Sequence, residues 1–184
     1  SNTCLGQDAV YVFKEPTSGL FMSLTKSVNP DDSDASFQET PTYFVLNPSG
    51  TGYIFQEFGA DRYVGSTNGW SVDENEDQSV WIIKDVDPTD VTNEHKLILR
   101  EGGNGNKIAL GSDEDPISVN TGIYTDVNQN SVKPWLMLKY LVASYGDWKF
   151  ACKENGDAIE LYGVLKEGAN KDLDLTQENS LGKS

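Results

Sequence analysis

The chain has 184 residues, with 29 acidic against 14 basic side chains and a formal net charge of −15. That balance excludes nucleic acid as a ligand, because phosphates need a basic face, and it disfavours an anionic membrane surface. No apolar run approaches the roughly 20 residues that span a bilayer.

Hydrophobic residues make up 37% of the chain, enough for one domain of this length to bury its own core. The surplus of carboxylates suits solubility through self-repulsion, or a basic protein partner. No charged-then-apolar leader is present, so the expectation is that any signal peptide has been removed or never existed.

In chain order, a polar lead-in over 1–9 precedes a hairpin, with Val10–Glu15 and Leu20–Leu24 as strands about a turn at Pro16–Gly19. An acidic loop over Asn29–Ser36 follows, and Tyr43–Leu46 closes a first unit. Asn47–Gly52 turns directly into Tyr53–Glu57. The second unit continues through the tip Ser66–Gly69, Trp70–Val72 and the acidic loop Asp73–Asp77, and returns at Trp81–Lys84. A longer connection, Asp85–Asn93, leads to His95–Leu99. The third unit carries another acidic stretch, Ser112–Pro116, then Ile117–Asn120 and Gly122–Val127, and closes with Trp135–Leu141. Asp147–Cys152 and Ala158–Tyr162 predict a last hairpin about an Asn-Gly turn at Glu154–Asp157. No stretch has the i, i+3, i+4, i+7 pattern of an amphipathic helix.

One unit recurs three times. Tyr11–Leu24, Tyr53–Ser66 and Leu97–Leu110 each hold an apolar triplet, a polar residue, a glutamate, a glycine-bearing turn and a second apolar strand. The third copy has one extra residue in its turn. The copies are offset by 42 and then 44 residues. Glu15, Glu57 and Glu101 hold one position, where strand meets turn, and are expected to bond the backbone of their own hairpins. Phe44, Trp81 and Trp135 begin the closing apolar runs and are expected in the core.

Nothing in the residues marks an enzyme. The single histidine, His95, stands at a strand start beside Glu94, so a nucleophile–histidine arrangement has only that imidazole to use. It also leaves no cluster of imidazoles for zinc. Asp73, Asn75 and Asp77 imitate the start of a calcium loop without the glycine or the bidentate glutamate that complete one. With Asp31, Asp32 and Asp34, and with Asp113, Glu114 and Asp115, they read as solvated turn residues, so no metal and no cofactor is expected. Gly102–Gly105 is a hairpin turn and not a phosphate cradle, since no helix follows it.

Three units of this length, each two hairpins closed by an aromatic-led run, resemble the β-trefoil superfamily, which includes ricin-B-like and fungal lectins and Kunitz-type inhibitors. The Gln-x-Trp tripeptide of ricin-type repeats is absent, and Gln78–Trp81 is one residue too long for it. The resemblance implies an all-β fold with three four-stranded repeats under pseudo-threefold symmetry. Residues 1–165 would form one domain, with repeats at about 10–47, 53–85 and 96–141, a C-terminal hairpin at 147–163 and a polar tail at 166–184. It implies a secreted or cell-surface carbohydrate-binding module that takes a glycan or small sugar through its hairpin loops. The alternative is a protease inhibitor or protein-interaction domain displaying Asp85–Asn93.

For a sugar, an aromatic platform needs neighbouring groups that fix the ring hydroxyls. Trp70 with Asn68 and Asp61 fits that need, and Tyr124 with Asn128 repeats it in the third unit. Because the two ends of a trefoil chain meet at one edge of its barrel, the resemblance also implies a Cys4–Cys152 disulfide, which suits an oxidising compartment.

Overall fold

The computed structural model describes residues 8–24, 35–65, 71–73, 80–90, 92–101, 107–110, 123–124, 134–155 and 158–166. Among these there are fourteen strands and no helix. The strand pairs whose register is described are all antiparallel. This all-β architecture follows from short runs rich in Val, Ile, Phe and Tyr, bounded by Gly, Pro, Asn and Asp.

The strands fall into three sets of four and a final pair. The first set is β1 (Ala9–Lys14), β2 (Phe21–Leu24), β3 (Ala35–Gln38) and β4 (Phe44–Ser49). The second is β5 (Gly52–Glu57), β6 (Tyr63–Gly65), β7 (Ser71–Asp73) and β8 (Ile82–Asp85). The third is β9 (His95–Glu101), β10 (Lys107–Leu110), β11 (Ile123–Tyr124) and β12 (Trp135–Tyr145), and β13 (Trp148–Asn155) and β14 (Ala158–Lys166) complete the chain.

Register keeps the spacing of the sequence copies. Lys14 pairs with Phe21 across the first hairpin and Gln56 with Tyr63 across the second, both partners displaced by 42. In the third, Arg100 pairs with Ile108, a loop one residue longer, as its extra turn residue requires. Inside each set the middle strands pair as well, with Met22 opposite Phe37, Val64 opposite Val72 and Leu110 opposite Ile123.

The last strand of each set pairs with the first strand of the next. Phe44 lies opposite Glu57, and Ile82 lies opposite Leu99. First and last strands of a set also meet: β1 neighbours β4, and Trp135 of β12 lies opposite Lys96 of β9. In the second set this contact is a single bridge, Tyr53 to Trp81, whose two backbone bonds both measure 2.8 Å.

The chain divides into two compact units, one of residues 12–138 and the other of 1–11 with 139–184. In the larger unit Phe13 and Phe55, equivalent in the first two copies, stack with centroids 5.1 Å apart and planes 8° from parallel. Phe44 closes the triangle at 6.1 and 6.0 Å. Leu99, the third equivalent, is buried too. Phe44, Trp81 and Trp135 are all buried, and the Trp81 indole N–H donates to the Val64 carbonyl at 3.2 Å. A buried tryptophan needs such a partner for its one polar atom.

In the smaller unit the closing run is longer than the sequence reading has it. β12 continues past Leu141 to Tyr145, and the two-residue turn Gly146-Asp147 leads into β13. Gly146 has φ +58°, a conformation that glycine adopts without a Cβ penalty. The expected C-terminal hairpin is therefore the second half of a three-stranded meander. Its buried side holds Cys152 and Ile159 against Leu141, Ala143 and Leu161, with Trp148 and Phe150 stacked at 6.2 Å. The Val142 N–H reaches the Asp8 carbonyl at 3.2 Å, which ties the chain start to this meander. β14 runs to Lys166, and the expected tail beyond it lies outside the described residues.

Candidate functional site

The first hairpin is shaped by a buried carboxylate. Glu15, 3% exposed, accepts the Thr17 N–H at 3.0 Å and the Ser18 N–H at 2.6 Å. Burial alone would raise its pKa, but the bonds from Ser18 and Thr17 outweigh that and hold it below the ordinary glutamate value. The same turn is closed by the Glu15 N–H on the Leu20 carbonyl at 2.7 Å, while Ser18 Oγ accepts the Leu20 N–H at 3.2 Å. Leu20 is thereby fixed at the entrance to β2.

β2 then holds the connection between β3 and β4 against itself. Ser23 Oγ donates to the Thr40 carbonyl, the Leu24 N–H donates to Thr42 Oγ1 at 2.9 Å, and the Thr42 N–H donates to the Met22 carbonyl at 3.3 Å. Between these segments lies an open cleft of about 630 Å³. Leu20, Leu24 and Pro41 give it an apolar wall, and Ser23, Gln38, Glu39, Thr40 and Thr42 line the rest. Glu39 and Thr40 are exposed, whereas Ser23 and Thr42 are buried. The result is a shelf with hydroxyl, amide and carboxylate groups beside an aliphatic surface. Such a shelf suits a hydroxylated ligand.

Of the other two repeated glutamates, Glu57 pairs with Arg62 across its own turn at 3.1 Å, and the Glu57 N–H donates to the Arg62 carbonyl at 2.8 Å. That backbone bond matches the one from Glu15 to Leu20, with the same five-residue reach. The side chain of Glu101 lies outside the described residues.

The connection from β8 to β9 is held by its own polar side chains. Asp87 Oδ1 takes the N–H and hydroxyl of Thr89 at 2.9 and 2.7 Å, and Asp90 Oδ1 takes those of Thr92 at 3.2 and 2.6 Å. Asn93 Oδ1 accepts the His95 N–H and lies 3.0 Å from its Nδ1. An Asx turn thus repeats every third residue. The Thr89 bonds hold the Asp87 carboxyl below its ordinary value, and Lys96 anchors Asp85 at the base. Residues 86–90 are all exposed, and Val86 is the apolar one at 45%.

Of the residues expected to hold a sugar, Asp61 is exposed in the turn between β5 and β6. Tyr124 lies in β11, its backbone paired with Ala109, and its side chain is outside the described residues. Asn68, Trp70 and Asn128 also lie outside them. Of the five, only Asp61 has a described side chain, and their grouping lies outside the described residues. Among the described residues no group of three or more His, Cys, Asp or Glu could hold a metal. Asn75 and Asp77, with the acidic stretches at 31–34 and 113–115, lie outside that description. Cys152 is fully buried and is not a free thiol, while Cys4 lies outside the described residues.

On the meander, Tyr162 is 45% exposed and donates to Glu160 at 2.6 Å, a bond that pushes its pKa up to about 12. Its ring meets Tyr140 at 4.8 Å, and the Lys153 ammonium lies 4.6 Å over Tyr140.

No family model and no curated protein matches the chain. One solved structure resembles it, a salivary protein from Culex quiquefasciatus that belongs to the Cysteine and Tryptophan-Rich (CWRC) family. The two share 12% identity with a TM-score of 0.48, over 74% of this chain and 96% of that one.

Proposed function

We propose that this chain is a non-catalytic carbohydrate-binding module of β-trefoil type, acting outside the cell or at its surface, with the sugar held in the cleft beside β2 and β3. The trefoil reading is supported by the order of pairing: β1, β4, β5, β8, β9 and β12 each neighbour the next, and β12 neighbours β1 again. The three hairpins β2–β3, β6–β7 and β10–β11 are left over as a cap. The single observation that carries the ligand reading is the cleft itself, where hydroxyl, amide and carboxylate groups face an aliphatic wall. The buried, bonded state of Cys152 supports an oxidising compartment and a bridge to Cys4.

Open sites of this kind bind weakly, with a Kd on the order of 0.1–1 mM. Calorimetric titration with mono- and disaccharides tests the reading. Gln38→Ala and Glu39→Ala should weaken the binding seen in the parent, and Trp70→Ala should leave it unchanged. Loss of binding in Trp70→Ala alone would move the site to the β6–β7 tip. If no sugar produces heat at tens of millimolar, the carbohydrate reading fails.

A second reading has one observation in its favour. Asx turns at Asp87, Asp90 and Asn93 fix the described part of the β8–β9 connection, and residues 86–90 are exposed, so a protein partner would meet it at little ordering cost. Its carboxylates suit a basic partner surface. A protease panel assayed for inhibition separates this reading from the first.

A further inference from the structure

We infer that two copies of this chain pair through β14, edge to edge and antiparallel, about a two-fold axis at Gly163. The inference is independent of the carbohydrate reading. It comes from an uncovered strand edge and from the order of residues along it.

Among the described strands, β14 is the longest with a neighbour on one side only, and that neighbour is β13. An uncovered edge offers its backbone N–H and C=O groups to another chain, and proteins blunt such edges with charged residues or proline. The middle of β14 has neither, since residues 161–165 are Leu, Tyr, Gly, Val and Leu. Exposed Glu160, Tyr162 and Val164 alternate with buried Ile159 and half-buried Leu161, Gly163 and Leu165. Three large hydrophobic residues are exposed among those described, and two of them, Tyr162 and Val164, stand together on this face. The strand carries one glutamate and one lysine, so it is a neutral segment in a chain of net charge −15. Interface cores are depleted of charge in the same way.

The occupant that fits is a second copy. Antiparallel pairing about Gly163 sets Tyr162 of each copy opposite Val164 of the other, Leu161 opposite Leu165, and Glu160 opposite Lys166. An aromatic beside a β-branched residue and a pair of opposite charges are favourable cross-strand neighbours. Gly163 meets itself on the axis with no side chains to crowd. Moving the centre to Tyr162 or to Val164 keeps the faces matched but takes Lys166 away from Glu160, so the charges select one register. Register against β13 passes over Leu165 and Tyr162, and such irregularities add twist to a strand. A two-fold partner carries the same twist, so the two edges still follow one another.

The experiment is analytical ultracentrifugation of the full chain at about 0.15 M salt, where repulsion between the acidic copies is screened. The parent should pass from monomer to dimer between about 10 μM and 1 mM, as a small contact would. Val164→Lys sets a charge opposite Tyr162 and should weaken the dimer at least about tenfold. Val86→Lys alters the third exposed hydrophobic residue and should leave the dimer unchanged. Glu160→Lys opposes lysine to lysine twice across the axis and should weaken the dimer about tenfold, while adding Lys166→Glu should restore it. Thermal unfolding checks that each variant is folded. Hydrogen exchange of the parent needs no variant: the β14 amides should gain protection as concentration rises, and those of β4 and β5 should not. A parent that stays monomeric up to about 1 mM overturns the inference. A dimer that Val164→Lys leaves intact, or β14 amides indifferent to concentration, overturns it by moving the contact elsewhere. A double variant no tighter than Glu160→Lys overturns the pairing about Gly163.

Discussion

Gly52→Ala probes the junction between β5 and Trp81. Gly52 opens β5, and a Cβ built there would stand 2.5 Å from the Trp81 carbonyl oxygen, 3.1 Å from its carbon and 2.8 Å from Val80 Cγ1. Ordinary contact begins at 3.4 Å, so the Trp81 backbone would have to retreat by about 0.9 Å. That carbonyl accepts the Tyr53 N–H at 2.8 Å, and the Trp81 N–H returns the bond at the same distance. A retreat of that size stretches both bonds beyond hydrogen-bonding range. Two backbone bonds lost beside a buried tryptophan cost about 2–4 kcal/mol. Lower entropy of the unfolded chain offsets about 0.4–1 kcal/mol of this. The net loss is then roughly 1–3.5 kcal/mol, or a fall in Tm of about 2–14 °C for a chain of this size. Urea unfolding followed by tryptophan emission measures it, with exposed Thr51→Ala as a neighbouring control expected within about 0.5 kcal/mol of the parent. If Gly52→Ala is as stable as the parent, the close approach of β5 to Trp81 is not real, and the link from β5 to β8 has to be abandoned.

Three further outcomes can be checked. Glu15 has a lowered folded-state pKa, so its contribution is complete above the ordinary glutamate range and is lost as pH falls through the folded value; Glu15→Gln should flatten the acid limb of a stability–pH curve below about pH 4.5, and an unchanged limb refutes the capping role. The proposed Cys4–Cys152 bridge closes a long loop worth about 4–5 kcal/mol in the entropy model, and alkylation of the unfolded chain should add mass only after reduction. Trp81→Phe keeps the aromatic bulk but removes the donor to Val64, so it should cost about 1–3 kcal/mol by leaving that buried carbonyl short of a partner; stability equal to the parent would show that the bond contributes nothing.

The hairpins were legible because their signals are local. A glutamate at the strand end, a glycine-bearing turn and an apolar triplet sit within fourteen residues of one another, and the registers at Lys14, Gln56 and Arg100 follow that spacing. The aromatics Phe44, Trp81 and Trp135 were legible as core because each begins an apolar run. The cleft was not. It exists because Ser23 and Leu24 bond residues 17 and 18 positions later, and such pairs leave no periodic trace. The sequence of Thr40, Pro41 and Thr42 is a weak hint in hindsight, since a proline between two threonines interrupts a strand while keeping two hydroxyls close. Nor did the apolar run beginning at Trp135 reveal that β12 would continue to Tyr145. Only the glycine at 146 marks where it turns, and one glycine among 17 is a poor signal.

The copies also show where function has room to enter. Residues at the same place in each copy, such as Phe13, Phe55 and Leu99, are constrained by the packing they share and cannot easily serve a ligand. Glu15 and Glu57 hold one sequence position yet act differently, the first capping its turn and the second pairing with Arg62. Of these two, only Glu15 lies in the turn that ends at Leu20, a residue lining the cleft. The acidic cap therefore has a consequence in the first copy that it lacks in the second: it fixes one wall of a cavity. The binding site proposed above lies where the first sequence copy departs from the second, between Leu20 and Thr42.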